Sequence, residues 1–223
     1  MGSSDFARMR EEMVRRQLAA RDIADPKVLA ALGSVPREEF VPEPRHADAY
    51  GDFPLPIGHG QTISQPYVVA YMTQAALLKG GERCLEIGAG SGYQAAVLSS
   101  LCKEVASIEI VRPLADSADE RLARLGYGNV TVRCGDGYQG WADRAPFDAI
   151  LVAAAGDHVP RPLVRQLAEG GRLVMPVGGR FFQALWRYTK TGGAVAKEKL
   201  LAVQFVPLTG PLEENPPDAA PAS

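Results

Sequence analysis

The chain has 223 residues, of which 46% are hydrophobic and 22% charged, with a formal net charge of −2. That length holds one α/β domain with a full core, and the composition is that of an ordinary globular protein. The near-neutral balance forces no broad basic face for nucleic acid or anionic membrane, and no apolar run is long enough to span a bilayer.

Residues 1–12 are charged from Asp5 onward and lack the apolar centre of a secretory signal, so a cytoplasmic protein is expected. Gly2 does not make a myristoylation site, because Phe6 stands where that motif needs Ser or Thr. Residues 6–20 read as an amphipathic helix, with Met9, Met13 and Leu18 among charged residues. Asp25-Pro26 caps a second short helix reaching Leu32. Residues 43–63 carry Pro, Gly and His without clear periodicity, and a loop of that length tends to be functional. A helix is predicted from Pro66 to Leu78. Strand-like runs then follow at 83–87, 105–110, 130–134, 147–152 and 172–177, with helical runs at 92–101, 113–125 and 160–168 between them. That alternation predicts βαβ units and a parallel sheet with helices on both faces. Near the end, 182–188 and 200–206 flank Lys190-Thr191-Gly192-Gly193, which reads as a hairpin turn region.

The fold class predicted is therefore α/β: a doubly wound, mostly parallel, Rossmann-like sheet with a C-terminal antiparallel hairpin and an N-terminal helical extension. Class I S-adenosylmethionine methyltransferases have this arrangement, although fold alone does not fix chemistry. Residues 1–65 are expected to pack as helices and a loop on a core formed by 66–212, in one structural domain. The Pro- and Ala-rich tail, 213–223, has nothing to bury and is expected to be disordered. Cys84, Cys102 and Cys134 are scattered in apolar or strand-like contexts and read as reduced buried thiols. No CxxC occurs, and His46, His59 and His158 are far apart, so no metal site is expected.

Gly88-Ala89-Gly90-Ser91-Gly92 follows the apolar strand containing Glu86 and opens a helix. Glycines there permit a tight turn and close approach of a ligand to the backbone. A dinucleotide fingerprint places its third glycine one position later, where Tyr93 stands, so the loop fits S-adenosylmethionine better than a nicotinamide cofactor. Glu109, with Ile110, ends the next strand, where an acid accepts both ribose hydroxyls of an adenosine; the alternative is a solvated strand-end charge. Gly135-Asp136-Gly137 ends the third strand and reads either as a turn or as the adenine-edge site. Glu86 either holds the glycine loop or faces the methionyl ammonium of the cofactor.

Upstream, Leu55-Pro56-Ile57-Gly58-His59-Gly60-Gln61-Thr62-Ile63-Ser64-Gln65-Pro66 places a hydroxyl just before a helix. Ser64 reads either as the N-cap of that helix or as an acceptor-holding residue, and the roles are compatible. His59 lies five positions before Ser64 with no acid placed to orient it, so a hydrolase triad is excluded. Asp52 is placed either at the pocket mouth or in solvent. After the fourth strand the chain reads Val152-Ala153-Ala154-Ala155-Gly156, not the Asn/Asp-Pro-Pro-aromatic motif of nucleic-acid amino-methyltransferases.

The 58–67 segment and the 85–93 segment together resemble the protein-L-isoaspartate O-methyltransferases of bacterial type, over roughly residues 10–210. Other family-like stretches are 35–42, 50–52, 85–96, 135–137, 147–155, 159–176 and 205–208; Ala153 and Gly156-Asp157-His158 depart from the pattern. The resemblance implies methyl transfer from S-adenosyl-L-methionine to the α-carboxylate of L-isoaspartyl residues in damaged proteins and peptides. It implies that Ser64 orients that carboxylate, that Ile57, His59, Gln61, Thr62, Ile63 and Gln65 line the acceptor site, and that Glu86, Gly88–Gly92, Glu109, Ile110 and Gly135–Gly137 hold the cofactor. No nucleic-acid or membrane partner is expected, and a monomer is the default. The rivals are a carboxyl methyltransferase of the same family redirected to a dedicated peptide or small acid, and a non-catalytic S-adenosylmethionine-binding protein.

Overall fold

The computed structural model describes residues 2–179 and 181–210; the expected disordered tail, 213–223, lies outside the described residues. The N-terminal helix α1 spans Ser3–Glu12 and continues as a π-helical stretch, Met13–Leu18. Helix α2, Pro26–Ser34, starts as expected: the Asp25 carboxylate accepts the Lys27 N–H at 2.8 Å, with Pro26 at the first helical position. Met13, Leu18, Val28, Leu32 and Phe40 share one buried cluster with Tyr93, Val97 and Leu98, so the N-terminal helices pack onto the body of the fold.

The stretch expected to be an irregular loop has structure of its own. Residues Glu43–Asp48 form a 3-10 turn, and β1 (Leu55–Gly58) pairs antiparallel with β2 (Gln61–Ile63). Helix α3 then spans Pro66–Ala75. From there the predicted alternation is observed: β3 (Arg83–Ile87), α4 (Tyr93–Ser99), β4 (Glu104–Glu109), α5 (Arg112–Arg124), β5 (Val130–Cys134), β6 (Phe147–Val152) and α6 (Arg161–Gln166). Strand β7 spans Leu167–Gly179, so it begins where the predicted last helix was still running. Strands β8 (Phe182–Thr191) and β9 (Ala194–Val203) form the terminal hairpin about the left-handed pair Gly192-Gly193.

The large sheet has seven strands in the order β5-β4-β3-β6-β7-β8-β9. Strands β3 to β7 pair parallel, and β8 and β9 pair antiparallel. Alternation along β3 sends Cys84 to one buried cluster and Leu85 and Ile87 to the other, so the central strand is covered on both faces. The chain leaves β3 toward β4 and later returns to its other side as β6. That reversal opens a crevice at the carboxyl ends of β3 and β6, where open α/β sheets hold ligands.

The cysteine expectation is corrected in part. Cys84, at the start of β3, forms a disulfide with Cys102, in the turn after α4; only Cys134 is free. The turn folds back beside the strand and brings the two Cα atoms to 6.5 Å, a closeness that linear spacing does not reveal. Among the described residues no cluster of His, Cys, Asp and Glu is suited to a metal, and no helix is long and apolar enough to cross a membrane.

Candidate active site

The crevice at the β3/β6 reversal is a cavity lined by Glu86, Gly88, Ala89, Gly90, Ser91, Glu109, Ile110, Val111, Gly137 and Ala153, among others. Gly88, Gly90 and Gly92 have φ of 93°, 52° and 89°, the left-handed region that glycine enters without strain. A Cβ on Gly90 would lie 3.3 Å from Ile57 Cδ1, so the loop is pressed against the β1–β2 hairpin. Glu109 fixes that loop: its carboxylate accepts Gly90 N–H at 2.8 Å and Val111 N–H at 2.9 Å. Each oxygen retains a lone pair, which suits it to accept a ribose diol in the cavity.

Glu86 lies within β3 and is completely buried. Its register partner on β4 is Ser107, whose hydroxyl donates to Glu86 Oε2. Oε1 has no hydrogen-bond partner among the described residues. Burial, with a smaller push from the nearby Glu109 charge and an opposing pull from Ser107, raises its pKa to about 8. A cationic ligand end in this cavity would draw the proton off this acid and pair with the carboxylate. The site therefore fits S-adenosylmethionine: glycine backbone for close approach, Glu109 for a diol, and Glu86 for an ammonium group.

Not every expected cofactor residue reaches the cavity. Gly137 lines it, whereas Gly135 and Asp136 do not. Asp136 caps the 3-10 turn Gly137–Gln139 by accepting the Tyr138 N–H at 2.9 Å, although its buried Oδ2 has no partner. Gly92 turns the chain into α4 from outside the lining, where a Cβ would be 3.1 Å from Leu122.

The acceptor segment runs along the same cavity through Gln61, Thr62, Ile63 and Ser64. A neighbouring groove is lined by Arg21, Thr62, Ser64, Gln65, Tyr67, Ala153 and residues 201–206. Thr62, Ser64, Ala153 and Val206 belong to both. They form the wall shared by the cavity and the groove. His59 sits in the exposed hairpin turn at φ 53° and lines neither space.

The N-cap alternative for Ser64 does not hold. The cap position of α3 is Gln65, and the Ser64 hydroxyl makes no hydrogen bond among the described residues. Asp52 secures the helix start instead: its carboxylate accepts Tyr67 N–H at 3.2 Å and Gln65 Nε2 at 2.8 Å, and pairs with Arg21 at 3.0 Å. Arg21 also stacks over the Tyr67 ring at 3.3 Å. Arg21 and Val111 carry no motif that sequence reading could have used; they are assembled only by the fold.

A glycine-looped, doubly wound sheet with this cavity defines a class I methyltransferase. The family model described as protein-L-isoaspartate(D-aspartate) O-methyltransferase matches residues 8–213, and the chain belongs to that family. The protein-L-isoaspartate O-methyltransferase of Opitutus terrae is 59% identical over 201 residues, covering 90% of this chain and 86% of the relative. A solved protein-L-isoaspartate O-methyltransferase superposes with a TM-score of 0.82 at 32% identity, covering 90% of this chain and 66% of that longer one. The Plasmodium falciparum enzyme, in complex with S-adenosyl-L-homocysteine, superposes with a TM-score of 0.77 at 29% identity, covering 92% and 98%.

Proposed function

We propose that this chain methylates the α-carboxylate of L-isoaspartyl residues in damaged proteins and peptides, with Ser64 as the acceptor-holding residue. S-adenosylmethionine supplies a methyl carbon made electrophilic by its sulfonium. The acceptor carboxylate is ionised near neutrality, so no general base is required. What remains is alignment and exclusion of water. Ser64 can donate its uncommitted hydroxyl to one carboxylate oxygen and leave the other for transfer. A neutral donor suits this role, because a Lys or Arg there would hold the nucleophile too tightly. The product methyl ester carries a better leaving group than the carboxylate: the amide nitrogen of the isoaspartyl linkage attacks the ester carbonyl, methanol leaves, and hydrolysis of the resulting succinimide returns some normal aspartyl linkage.

One observation carries the reading: the Ser64 side chain, free of hydrogen bonds, stands in the wall shared by cavity and groove. Further parts of the proposal are cofactor contacts through Gly88–Ser91, Glu86, Glu109, Ile110 and Gly137, and an acceptor surface through Gln61–Gln65. Residues 1–65 and 66–212 act as one structural unit, working as a monomer in the cytoplasm without nucleic-acid partners. The Cys84–Cys102 disulfide would then have to persist against cytosolic thiols, which cell fractionation with thiol labelling tests.

Ser64→Ala tests the central assignment. Calorimetry with S-adenosylhomocysteine should give wild-type affinity, the unfolding free energy should change by less than about 0.5 kcal/mol, and methyl transfer should be largely lost. Full turnover would remove Ser64 from the acceptor site.

A further inference from the structure

Arg37 lies in the 3-10 turn Arg37–Phe40 and is fully buried, the largest such side chain among the described residues. Taking a guanidinium out of water costs several kcal/mol and is ordinarily offset by a carboxylate. Here no ion pair is formed with Arg37 among the described residues. Two of its nitrogens bond the backbone instead, Nε to the Ala49 carbonyl at 2.7 Å and Nη2 to the Ser64 carbonyl at 2.8 Å, while Nη1 has no hydrogen-bond partner among the described residues. The guanidinium carbon lies 4.7 Å from the centre of the Tyr93 ring, in the first turn of α4, just after the glycine loop. The groups whose charge or polarity it feels are Tyr93, Tyr50 and Asp52. Asp52 is itself committed to Arg21, Gln65 and the Tyr67 amide.

A buried cation without an ion-paired carboxylate is an expensive way to bridge two loops, and a neutral side chain could make one of these bonds. What the guanidinium adds is a rigid fork and a permanent charge. The fork ties the Ser64 carbonyl to Ala49 on one side while the guanidinium lies over the Tyr93 ring of the helix that follows the cofactor loop. The charge stands directly behind the residue that faces the acceptor carboxylate, in surroundings of low dielectric where it is weakly screened.

We infer that Arg37 is the positioning residue of the acceptor site: it sets the Ser64 hydroxyl relative to the cofactor loop, and its unpaired charge favours the incoming carboxylate from behind the backbone. Arg37 touches neither reactant; it acts through the Ser64 backbone and through its field. The inference rests on Ser64 being the acceptor-side residue.

Two variants separate its contributions. Arg37→Lys keeps the charge but loses the fork, whereas Arg37→Met loses both. S-adenosylhomocysteine affinity should be unchanged in each. The kcat for an isoaspartyl peptide should fall in both, by about a hundredfold for Arg37→Met, as a misplacement near 1 Å would give. KM for the peptide should rise only in Arg37→Met. A purely structural residue would lower Tm and leave kcat per folded molecule intact, and that result in either variant overturns the inference. The wild-type protein supplies a measurement that needs no variant to fold. With 15N-labelled arginine, the Arg37 Nε resonance should shift when an isoaspartyl peptide joins the protein–S-adenosylhomocysteine complex. An unmoved resonance in the saturated complex overturns the inference too. Turnover surviving in Ser64→Ala would sink the underlying acceptor assignment, whereas an inactive Ser64→Ala beside a fully active Arg37→Met sinks the Arg37 role alone.

Discussion

Glu86 gives the cofactor cavity its most distinctive electrostatics. Its carboxyl is completely buried, hydrogen-bonded on one oxygen only, and held up to a pKa of about 8 by burial. An unfolded chain ionises the same group near pH 4.3. Below that pH both states carry the proton and the contribution to stability is fully present. Between the two values the unfolded state loses its proton while the folded state keeps it, so this contribution falls by about 1.4 kcal/mol per pH unit and is gone above the folded pKa. Glu86→Gln removes the titration. Urea unfolding should therefore show the variant gaining on wild type as pH rises from 5 to about 8, and parallel profiles would mean that Glu86 titrates normally. Glu109 belongs to the same cavity but makes its bonds to Gly90 and Val111. Glu109→Ala should weaken S-adenosylhomocysteine binding by about 1–3 kcal/mol, the cost of leaving the ribose hydroxyls unpaired; calorimetry with unchanged affinity would take it out of the site.

At the scale of elements, the acceptor wall depends on how α3 begins. The helix has no side-chain cap from its own N-cap residue, Gln65; Asp52, arriving from the loop before β1, holds both Gln65 and the Tyr67 amide. Asp52→Ala should cost about 1 kcal/mol, the usual worth of a lost cap. It should also raise peptide KM more than cofactor Kd, since Gln65 lines only the groove. Equal effects on both constants would mean that Asp52 merely stabilises the fold. The regular βαβ elements were legible because period and punctuation agree: β3, β5 and β6 fall at the predicted 83–87, 130–134 and 147–152. The β1–β2 hairpin was not legible. Its strands have four and three residues, include Pro56, and turn through Gly58, His59 and Gly60, all at positive φ, which together erase any alternation. The predicted last helix stops at Gln166 because β7 begins early and bends at Gly170, at φ 73°. The π-helical turn at Met13–Leu18 leaves no mark that helical periodicity detects.

For the whole molecule, the organising fact is one shared edge. The reversal of strand order places the glycine loop against Ala153, whose N–H bonds the Ile87 carbonyl at 2.8 Å. The N-terminal segments bring Gln61–Ser64 to the other side of that crevice. The glycine loop, Glu109 and Ser64 were readable because their motifs are local. Arg21 and Arg37 were not assigned roles, and Asp52 could not be placed between pocket mouth and solvent, because their contacts cross 12 to 46 positions of chain, from Arg37 to Ala49 and from Arg21 to Tyr67. An isoaspartyl linkage routes the main chain through the side-chain carbonyl and leaves an α-carboxylate close to the backbone. A normal aspartyl side chain presents its carboxylate one methylene further out, and a misplacement near 1 Å costs about a hundredfold in rate. The most direct test is methyl transfer to two peptides of identical sequence that differ only in this linkage. The account predicts rapid methylation of the isoaspartyl peptide and at least about a hundredfold less of the aspartyl one. Comparable methylation of both, or of neither while a free small acid is methylated rapidly, would contradict it.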